Sequence, residues 1–356
     1  MKRYTDFIID INQLKTNVQN IKKRLGPAKY CSVIKANAYG LGMETVASCL
    51  KGIADFFAVA CLKEALALRV FDKTSPILIL GCVEKSDIKA CVDNNISISV
   101  SNILQLKELV GGVGRLNIHL QVNTGLNRFG FRVVSEFKKA VEIINNSDNL
   151  FLEGVYSHFA TKSNDVNFIK KQYYRFLQFK SCVRNKDVIF HISNSFATIY
   201  DDVFHMNMAR VGFLQYGELE NNIDCKPVLS IKSKLINVFT AKKGDTIGYD
   251  RTYKVNKTTK VGVVPVGYAD GFDRRLSNNF CVLINNVKCK VVGLVCMDVF
   301  MVDLSGVAAN IGDEVLLLGG RGKNKITLND YALAMKTSPY EVLLGFNYKR
   351  LNYTVK

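Results

Sequence analysis

The first two-thirds of the chain alternates short apolar runs with amphipathic segments. Eight runs of four to six residues are rich in apolar side chains, as expected of strands buried in a parallel sheet. They are Ser32–Lys35, Phe56–Ala60, Ile77–Leu80, Ile96–Val100, Asn117–Val122, Leu152–Ser157, Val188–Ile192 and Ala209–Phe213. Most are followed by a helical pattern, for example Lys63–Val70, Ser135–Ile144 and Val166–Lys180, and an amphipathic helix precedes them with Ile11, Leu14, Val18, Ile21 and Leu25 on one face. These alternations over about 200 residues predict an α/β fold, a (β/α)8 TIM-type barrel.

The pattern changes near Asp224. Short strand-like runs then dominate, and turn signals such as Lys243-Gly244-Asp245 and Gly312-Asp313 interrupt them. Helical periodicity returns only near Asn329–Lys336. We therefore predict a barrel domain over residues 1–223 and a mostly β domain over 224–356, with residues 1–10 pairing with the second domain.

Composition places the chain among globular proteins. Its 356 residues are 48% hydrophobic and 22% charged, and no apolar run approaches the roughly 20 residues of a membrane span. No secretory signal fits the N-terminus, because Asp6 and Asp10 interrupt its apolar stretch. We therefore expect a cytoplasmic protein that binds no membrane.

Charge and cysteine usage exclude some further classes. The net charge of +17 comes from basic residues spread along the chain, which favours a solvated surface over a nucleic-acid footprint. The ten cysteines include no CxxC pair, and Cys61, Cys82 and Cys296 lie in apolar runs. This usage predicts reduced core thiols, with no disulfide framework and no metal site.

The run Val33-Ile34-Lys35-Ala36-Asn37-Ala38-Tyr39-Gly40-Leu41-Gly42 carries the most specific chemical signal. It delivers one lysine at the carboxyl end of an apolar strand, which is where barrel enzymes place catalytic groups. A lysine amine becomes nucleophilic when burial or a nearby cation lowers its pKa, and such an amine suits Schiff-base chemistry.

Other polar groups follow the ends of later predicted strands. Arg128 lies in Asn123-Thr124-Gly125-Leu126-Asn127-Arg128-Phe129-Gly130, and His158 lies in Tyr156-Ser157-His158-Phe159-Ala160. The remaining candidates are Asn194-Ser195 and Arg210-Val211-Gly212-Phe213. Because the carboxyl ends of parallel barrel strands meet at one rim, these groups are expected to share one site with Lys35.

These motifs resemble those of the alanine racemases, pyridoxal-phosphate enzymes of bacterial wall-precursor synthesis, over essentially the whole chain. The resemblance implies that Lys35 forms an aldimine with pyridoxal 5'-phosphate, the cofactor. It places Arg128 at the phenolic oxygen and the substrate carboxylate, and Arg210 at the pyridine nitrogen with His158 hydrogen-bonded behind it. The phosphate would be held by Tyr39, Ser195, the amides of Gly212 and Phe213, and Tyr348, with Asn194 also in the cofactor site.

The resemblance further implies a two-base mechanism in a homodimer. Lys35 would act on one face of the substrate, and Tyr249, donated by the partner subunit, on the other. Tyr268, in Gly267-Tyr268-Ala269-Asp270-Gly271, would line the entrance, and Met297, in Cys296-Met297-Asp298, would bind the substrate carboxylate. The expected activity is interconversion of L- and D-alanine, which supplies D-alanine for peptidoglycan precursors.

The chain departs from the family pattern at the residues that orient the side chain of Arg128. Many relatives carry a lysine, often carbamylated, where this chain has Gln121, and an aspartate where it has Asn123. We hypothesise that the Gln121 amide, or a bound anion, orients Arg128 instead. The other histidines, His119, His191 and His205, are interpreted as structural.

Three other functions stay open on the sequence alone. A one-residue slip that puts Asn347 in place of Tyr348 would leave a smaller polar residue near the substrate, so serine racemase activity is the leading alternative. A non-catalytic pyridoxal-phosphate carrier would resemble the barrel half alone. A related decarboxylase would use an acidic partner for the ring nitrogen, whereas this chain offers Arg210.

Overall fold

The computed structural model describes residues 4–161 and 165–356. These residues form two compact units. One unit comprises the described parts of Met1–Gln13, Tyr39–Leu41 and Pro227–Lys356, and the other comprises the described parts of Leu14–Ala38 and Gly42–Lys226. The units therefore divide between residues 226 and 227, three residues after the boundary that the sequence suggests.

The chain begins with strand β1 (Asp6–Ile9) and helix α1 (Ile11–Leu25). The buried face of α1 includes Leu14, Val18, Ile21 and Leu25, the positions that the helical periodicity predicts. Basic residues Lys22, Lys23 and Arg24 occupy the last turn of α1, where they interact favourably with the negative end of the helix dipole.

Eight parallel strands follow and form a nearly closed barrel. They are β2 (Lys29–Val33), β3 (Phe56–Val59), β4 (Ile77–Ile79), β5 (Ile96–Val100), β6 (Leu116–Gln121), β7 (Leu150–Tyr156), β8 (Ile189–His191) and β9 (Met208–Val211). Neighbours pair in the order β8-β7-β6-β5-β4-β3-β2-β9. Hydrogen bonds from Asn207 N to Phe190 O (3.0 Å) and from Arg210 N to Ser193 O (3.1 Å) join β9 to the β8 segment.

Helices accompany the strands along the chain. They are α2 (Met43–Leu50), α3 (Leu62–Phe71), α4 (Ile88–Asp93), α5 (Ile103–Lys107), α6 (Val134–Asn145), α7 (Val166–Lys180) and α8 (Ser195–Tyr200). Every residue of β3 and of β5 is buried, because helices cover the outside of the barrel and side chains fill its interior. The predicted (β/α)8 barrel is confirmed.

The second unit is a mostly antiparallel sheet. Besides β1, its strands are β10 (Leu229–Lys234), β11 (Asn237–Ala241), β14 (Thr259–Val264), β15 (Cys281–Ile284), β16 (Val287–Val292), β17 (Phe300–Asp303), β18 (Glu314–Arg321), β19 (Asn324–Ile326) and β20 (Asn352–Val355). Strands β12 (Thr246–Ile247) and β13 (Tyr253–Lys254) pair with each other in a separate two-stranded sheet. Helices α9 (Leu328–Met335) and α10 (Pro339–Gly345) complete it. β1 pairs antiparallel with β10 and parallel with β20, so the first strand of the chain belongs to this sheet.

Two details differ from the sequence predictions. β2 ends at Val33, two residues before the predicted end, because the backbone enters a left-handed turn after Lys35. Cys61 and Cys82 are exposed and Cys296 is half-buried, so the prediction that these thiols lie in the core is wrong. None of the helices in the described ranges combines the length and the hydrophobicity that a bilayer crossing requires.

Candidate active site

The barrel places most of the predicted site residues at one rim. Lys35, Arg128, His158 and Ser195 follow the carboxyl ends of β2, β6, β7 and β8, while Arg210 lies inside β9. Since the eight strands are parallel, these ends open onto the same face of the barrel, which is the catalytic face in this architecture.

Lys35 lies directly before an unusual left-handed turn. Ala36, Asn37 and Ala38 have φ angles of 52°, 55° and 55°, a conformation that non-glycine residues rarely adopt in succession. The turn is held by hydrogen bonds from Ala38 N to Ile34 O (2.8 Å) and from Met43 N to the Asn37 Oδ1 (2.8 Å). Such concentrated backbone strain is typical of functional sites, where the surroundings fix a side chain in one direction.

The Lys35 amine lies in an environment that disfavours its protonated form. Burial lowers the pKa of Lys35, and the positive charges of Arg128 and Arg210 lower it further, while Glu64 opposes them. A lysine becomes a better nucleophile and base when its neutral form is more populated near neutral pH. The predicted role of Lys35 as a reactive amine is therefore chemically reasonable at this position.

Arg210 is fully inserted into the barrel interior. Its Nη2 donates to Ser157 O (2.7 Å) and to the His158 Nδ1 (3.1 Å), and its Nη1 donates to the His191 Nδ1 (2.8 Å) and to His191 O (3.1 Å). The guanidinium also lies 5.1 Å from the centroid of the Tyr156 ring, on which His191 stacks. These contacts fix the plane of the guanidinium.

The hydrogen bonds of Arg210 determine where the imidazole protons lie. Because arginine only donates, the Nδ1 of His191 accepts, and the His191 proton must lie on Nε2. That Nε2 contacts the His119 Nδ1 (2.8 Å), whose Nε2 in turn contacts the Glu153 carboxylate (2.9 Å). The donors therefore point in one direction, from Arg210 through His191 and His119 to Glu153.

We call this chain of hydrogen bonds from Arg210 through His191 and His119 to Glu153 the relay, and Glu153 is its anionic end. Burial opposes its ionisation, but hydrogen bonds from His119 and Ser97 lower the pKa of Glu153. The carboxylate thus accepts the last hydrogen bond of the relay that begins at Arg210, without a direct salt bridge between the two. Since a guanidinium can only donate, any ring nitrogen that Arg210 faces acts as an acceptor and stays unprotonated.

His158 is neutral in this environment. Burial lowers the pKa of His158 to about 3, with further contributions from the charges of Arg210, Arg128 and Lys35. Since its Nδ1 accepts from Arg210, its proton lies on Nε2. This hydrogen bond between His158 and Arg210 is the one that the family resemblance implies.

Ser195 lies among backbone amides at the end of β9. Its Oγ accepts from the N–H of Gly212 (3.0 Å) and of Leu214 (3.3 Å). The Asn194 side chain caps α8 by accepting from Ala197 N (3.0 Å). A serine hydroxyl and backbone amides gathered at one place are the types of donor that hold phosphate oxygens.

Arg128 lies on an exposed loop after β6. The Asn123 Oδ1 shapes that loop by accepting from Gly125 N (3.0 Å) and Asn127 N (3.2 Å). Gln121 is buried on β6, and among the described residues its side chain makes no hydrogen bond to Arg128. The hypothesis that the Gln121 amide orients Arg128 is therefore not supported.

The other predicted site residues belong to the unit that contains the antiparallel sheet. Tyr39 lies with its ring centroid 6.0 Å from that of Tyr340, and burial raises the pKa of Tyr39. Tyr348 packs against Phe7 and Tyr353, with ring centroids 6.2 Å and 5.3 Å away. Both phenols thus lie beside other aromatic rings.

Three predicted site residues on this unit have exposed side chains. The accessible fraction is 66% for Tyr249, 43% for Tyr268 and 53% for Met297. Backbone hydrogen bonds from Tyr268 N to Cys296 O (3.0 Å) and from Ala269 N to Met297 O (3.1 Å) bring the Tyr268 and Met297 segments together. Apolar surface left accessible on neighbouring segments is typical of an interaction face.

Arg350 ties these segments to the C-terminal residues. Its Nε donates to the buried Asp270 (3.0 Å) and its Nη2 to Asp298 (2.5 Å), while the other oxygen of Asp270 accepts from Gly267 N (3.0 Å). One guanidinium therefore fixes the turn that carries Tyr268 and the residue next to Met297.

Sequence reasoning missed the relay behind Arg210. His119 and His191 were interpreted as structural, and Glu153 was not noted, yet the three connect directly to a predicted site residue. A signal existed, because polar titratable side chains occur on strands β6, β7 and β8 whose other residues are mostly buried and apolar. Within the described ranges, no group of three or more His, Cys, Asp or Glu residues is placed to hold a metal ion.

Two family models match this chain along nearly its whole length. The model described as alanine racemase, N-terminal domain, matches residues 9–220, and the model described as alanine racemase, C-terminal domain, matches residues 228–353. The second match accounts for the β domain, which a carrier that resembles the barrel half alone would not have.

Individual relatives give the same result. The chain is 35% identical to an alanine racemase of Pediococcus pentosaceus, covering 97% of this chain and 94% of that protein. It is 36% identical to an alanine racemase of Ligilactobacillus salivarius, covering 96% of this chain and 95% of that one.

Solved structures agree with the sequence relatives. The alanine racemase from E. faecalis superposes with a TM-score of 0.94 at 33% identity, covering 99% of this chain and 98% of that chain. That from Bacillus anthracis with bound L-Ala-P has a TM-score of 0.90 at 31% identity, covering 100% of this chain and 96% of that chain. This chain therefore belongs to the alanine racemase family, whose members are pyridoxal-phosphate-dependent isomerases.

Proposed function

We propose that this protein interconverts L- and D-alanine, with pyridoxal 5'-phosphate held at the barrel rim and Lys35 as one catalytic base. The observation that carries the proposal is a lysine of lowered pKa at the same rim as two arginines and an amide-lined serine. The relatives named above are alanine racemases, and none of them favours serine as the substrate.

The residues present fit this cofactor. Ser195 and the amides of Gly212 and Phe213 would hold the phosphate, with Tyr39 and Tyr348 as further partners. The Gly212 N–H donates to the Ser195 Oγ in this structure, and the Asn194 side chain caps the helix that begins at Ser195. Arg210 would donate to the ring nitrogen. When bound through Lys35, the cofactor supplies an electron-withdrawing system that acidifies the Cα–H bond of an attached amino acid.

The chain's own residues would control the proton transfers. Arg210 cannot give its acceptor a proton, and the relay to Glu153 keeps its guanidinium in place, so negative charge on the substrate carbon is stabilised only weakly. Prompt return of a proton to Cα is then favoured over side reactions such as transamination. Arg128 would bind the substrate carboxylate, together with the Met297 segment.

The second base is proposed to come from another copy of the chain. Tyr249 is two-thirds exposed on the β unit, and Tyr268 and Met297 are also accessible. In a homodimer, Tyr249 of the partner subunit would protonate or deprotonate Cα on the face opposite Lys35. The D-alanine produced would serve cell-wall precursor synthesis.

A direct test is attachment of the cofactor to Lys35. Incubation with pyridoxal phosphate, borohydride reduction and peptide mass mapping should place the modification on the Lys35 peptide. Lys35→Ala should lose both the modification and turnover of L-alanine, while Lys85→Ala, an exposed lysine in the segment after β4, should keep both. Modification at another lysine, or turnover by Lys35→Ala, would refute the proposal.

Mixed dimers test the shared site. Lys35→Ala and Tyr249→Phe copies are each expected to be impaired, but a mixture that exchanges subunits regains one intact site per hybrid dimer. Random pairing then restores about a quarter of the wild-type activity. If the mixture remains as inactive as the separate variants, Tyr249 does not act across a subunit interface. Assaying L-serine beside L-alanine decides the substrate.

A further inference from the structure

Glu64 joins the ends of two neighbouring barrel strands at the rim. It lies in the first turn of α3, and its Oε2 accepts from Ala60 N (2.7 Å), directly after β3. Its Oε1 accepts from Ala36 N (2.7 Å), directly after Lys35. One carboxylate therefore binds the backbone of its own strand exit and the backbone of the lysine segment.

The left-handed turn after Lys35 needs such an external acceptor. Each non-glycine residue in this conformation costs roughly 1–2 kcal/mol relative to a right-handed one, so Ala36, Asn37 and Ala38 together are strained. The N–H groups of Ala38 and Met43 bond within the local segment, to Ile34 and Asn37. The N–H of Ala36 is instead held by Glu64, from another strand–helix unit. A charge-assisted bond of this kind is among the stronger ones available to a backbone amide.

Glu64 also acts on the Lys35 amine through its charge. Burial, Arg128 and Arg210 all lower the pKa of Lys35, and Glu64 is the acidic group that raises it. The carboxylate thus sets how far the surroundings depress the basicity of the amine. Too low a pKa would weaken Lys35 as a base, because proton affinity and the neutral fraction change in opposite directions.

We propose that Glu64 is a positioning residue for Lys35, which clamps the backbone after the lysine and supplies the negative charge that balances its two arginine neighbours. The inference rests on the proposed role of Lys35 as the cofactor-binding base. Glu64 touches neither substrate nor cofactor in this scheme and acts only through the lysine segment.

Two variants and a control separate the two effects of Glu64, its hydrogen bond to the Ala36 N–H (the clamp) and its negative charge near the Lys35 amine. Glu64→Ala removes both, whereas Glu64→Gln removes the charge and keeps one acceptor oxygen. Glu142→Gln, an exposed glutamate on α6, is the matched control. Amide hydrogen exchange of the full-length protein should speed up at Ala36 by about tenfold or more in Glu64→Ala, since a charge-assisted bond is lost. Glu64→Gln should show a smaller increase, and the control none.

The rate at which the Lys35 amine is acetylated measures how the charge of Glu64 affects its neutral fraction. After removal of the cofactor with hydroxylamine, acetic anhydride at fixed mildly alkaline pH should acetylate Lys35 roughly 2–5-fold faster in both Glu64 variants, because more of the amine is neutral. Turnover of alanine should fall at least about tenfold in Glu64→Ala with a smaller change in KM, since the bound substrate meets a displaced base.

Each of the two readouts can refute one part of the proposal. Wild-type exchange at Ala36 in Glu64→Ala would overturn the clamp, and wild-type labelling of Lys35 in both variants would overturn the charge balance. If Glu64→Ala unfolds, exchange also rises in the β2 amides, and Glu64→Gln then decides. Neither readout needs racemase activity, so failure of cofactor attachment in the unmodified protein refutes the proposed function separately.

Discussion

His158 makes the stability of this protein sensitive to mild acid. Its imidazole accepts a hydrogen bond from Arg210 and is surrounded by positive charge, and burial is the largest cause that lowers its pKa to about 3. Protonation would place a second cation against Arg210 and destroy the acceptor. The folded protein therefore excludes the proton that an unfolded chain accepts readily.

The direction of the effect follows from proton linkage. An unfolded histidine has a pKa near 6.5, so between about pH 6.5 and 3 the unfolded state binds a proton that the folded state does not. The contribution of His158 to the free energy of unfolding must therefore fall as the pH falls through this window. For one histidine with these two pKa values, the loss between pH 7 and 5 is about 2 kcal/mol.

Replacing His158 should remove that loss. We expect the free energy of unfolding of wild type to fall by about 2 kcal/mol more than that of His158→Gln or His158→Asn when the pH is lowered from 7 to 5. Burial, with Arg210, also lowers the pKa of His191, which adds to the loss in all three proteins. Burial raises the pKa of Glu218 to about 8, so this carboxyl acts in the opposite direction between pH 7 and 5, because the folded state binds its proton more readily than the unfolded state. Its contribution is the same in all three proteins and cancels from the comparison.

Urea unfolding followed by circular dichroism at pH 7, 6 and 5 measures the difference. Nitrogen-15 chemical shifts of the imidazole give an independent readout, since they should report a proton on Nε2 and none on Nδ1 down to pH 5. Equal pH dependence in wild type and both variants, or a His158 ring that titrates near pH 6, would refute the reasoning.

Three further predictions concern other parts of the protein. Arg350→Ala leaves the buried Asp270 without its cation and should destabilise the fold, visible as a lower melting temperature. Gly130→Ala should cost about 2 kcal/mol or more in urea unfolding, because φ is +108° and the new Cβ would lie 2.8 Å from Gln121 O. Tyr249→Phe should slow exchange of the Cα hydrogen in deuterated water for one alanine enantiomer much more than for the other; an equal loss would contradict a two-base mechanism.

The barrel was predictable because its strands are apolar along their whole length. Strands buried on both faces produce continuous apolar runs, and helices between them produce a 3.6-residue period, so both signals are local. The Ile96–Val100 run, for example, is β5 exactly as predicted because nothing at its ends competes with the strand. The end of β2 was misplaced because the left-handed turn after Lys35 has no signature in hydrophobic periodicity.

The site was predictable only where a motif is contiguous. Lys35, Arg128 and Arg210 stand in short, specific runs, so their resemblance to a family was visible without coordinates. His119, Glu153 and His191 are single polar residues on three different strands, and each is unremarkable by itself. Glu64 is likewise one charged residue in a helix whose surface position predicts only solvation.

The sequence by itself determined the strand–helix alternation, the change to a β domain and the rim at which reactive groups follow the strands, because these depend on residues close together in the chain. Only the tertiary structure decided which nitrogen of each histidine carries the proton, which carboxylate ends the hydrogen-bond relay from Arg210 and which one holds the backbone after Lys35. Those properties depend on hydrogen bonds between residues 19 to 72 positions apart, where distance and direction matter and composition does not.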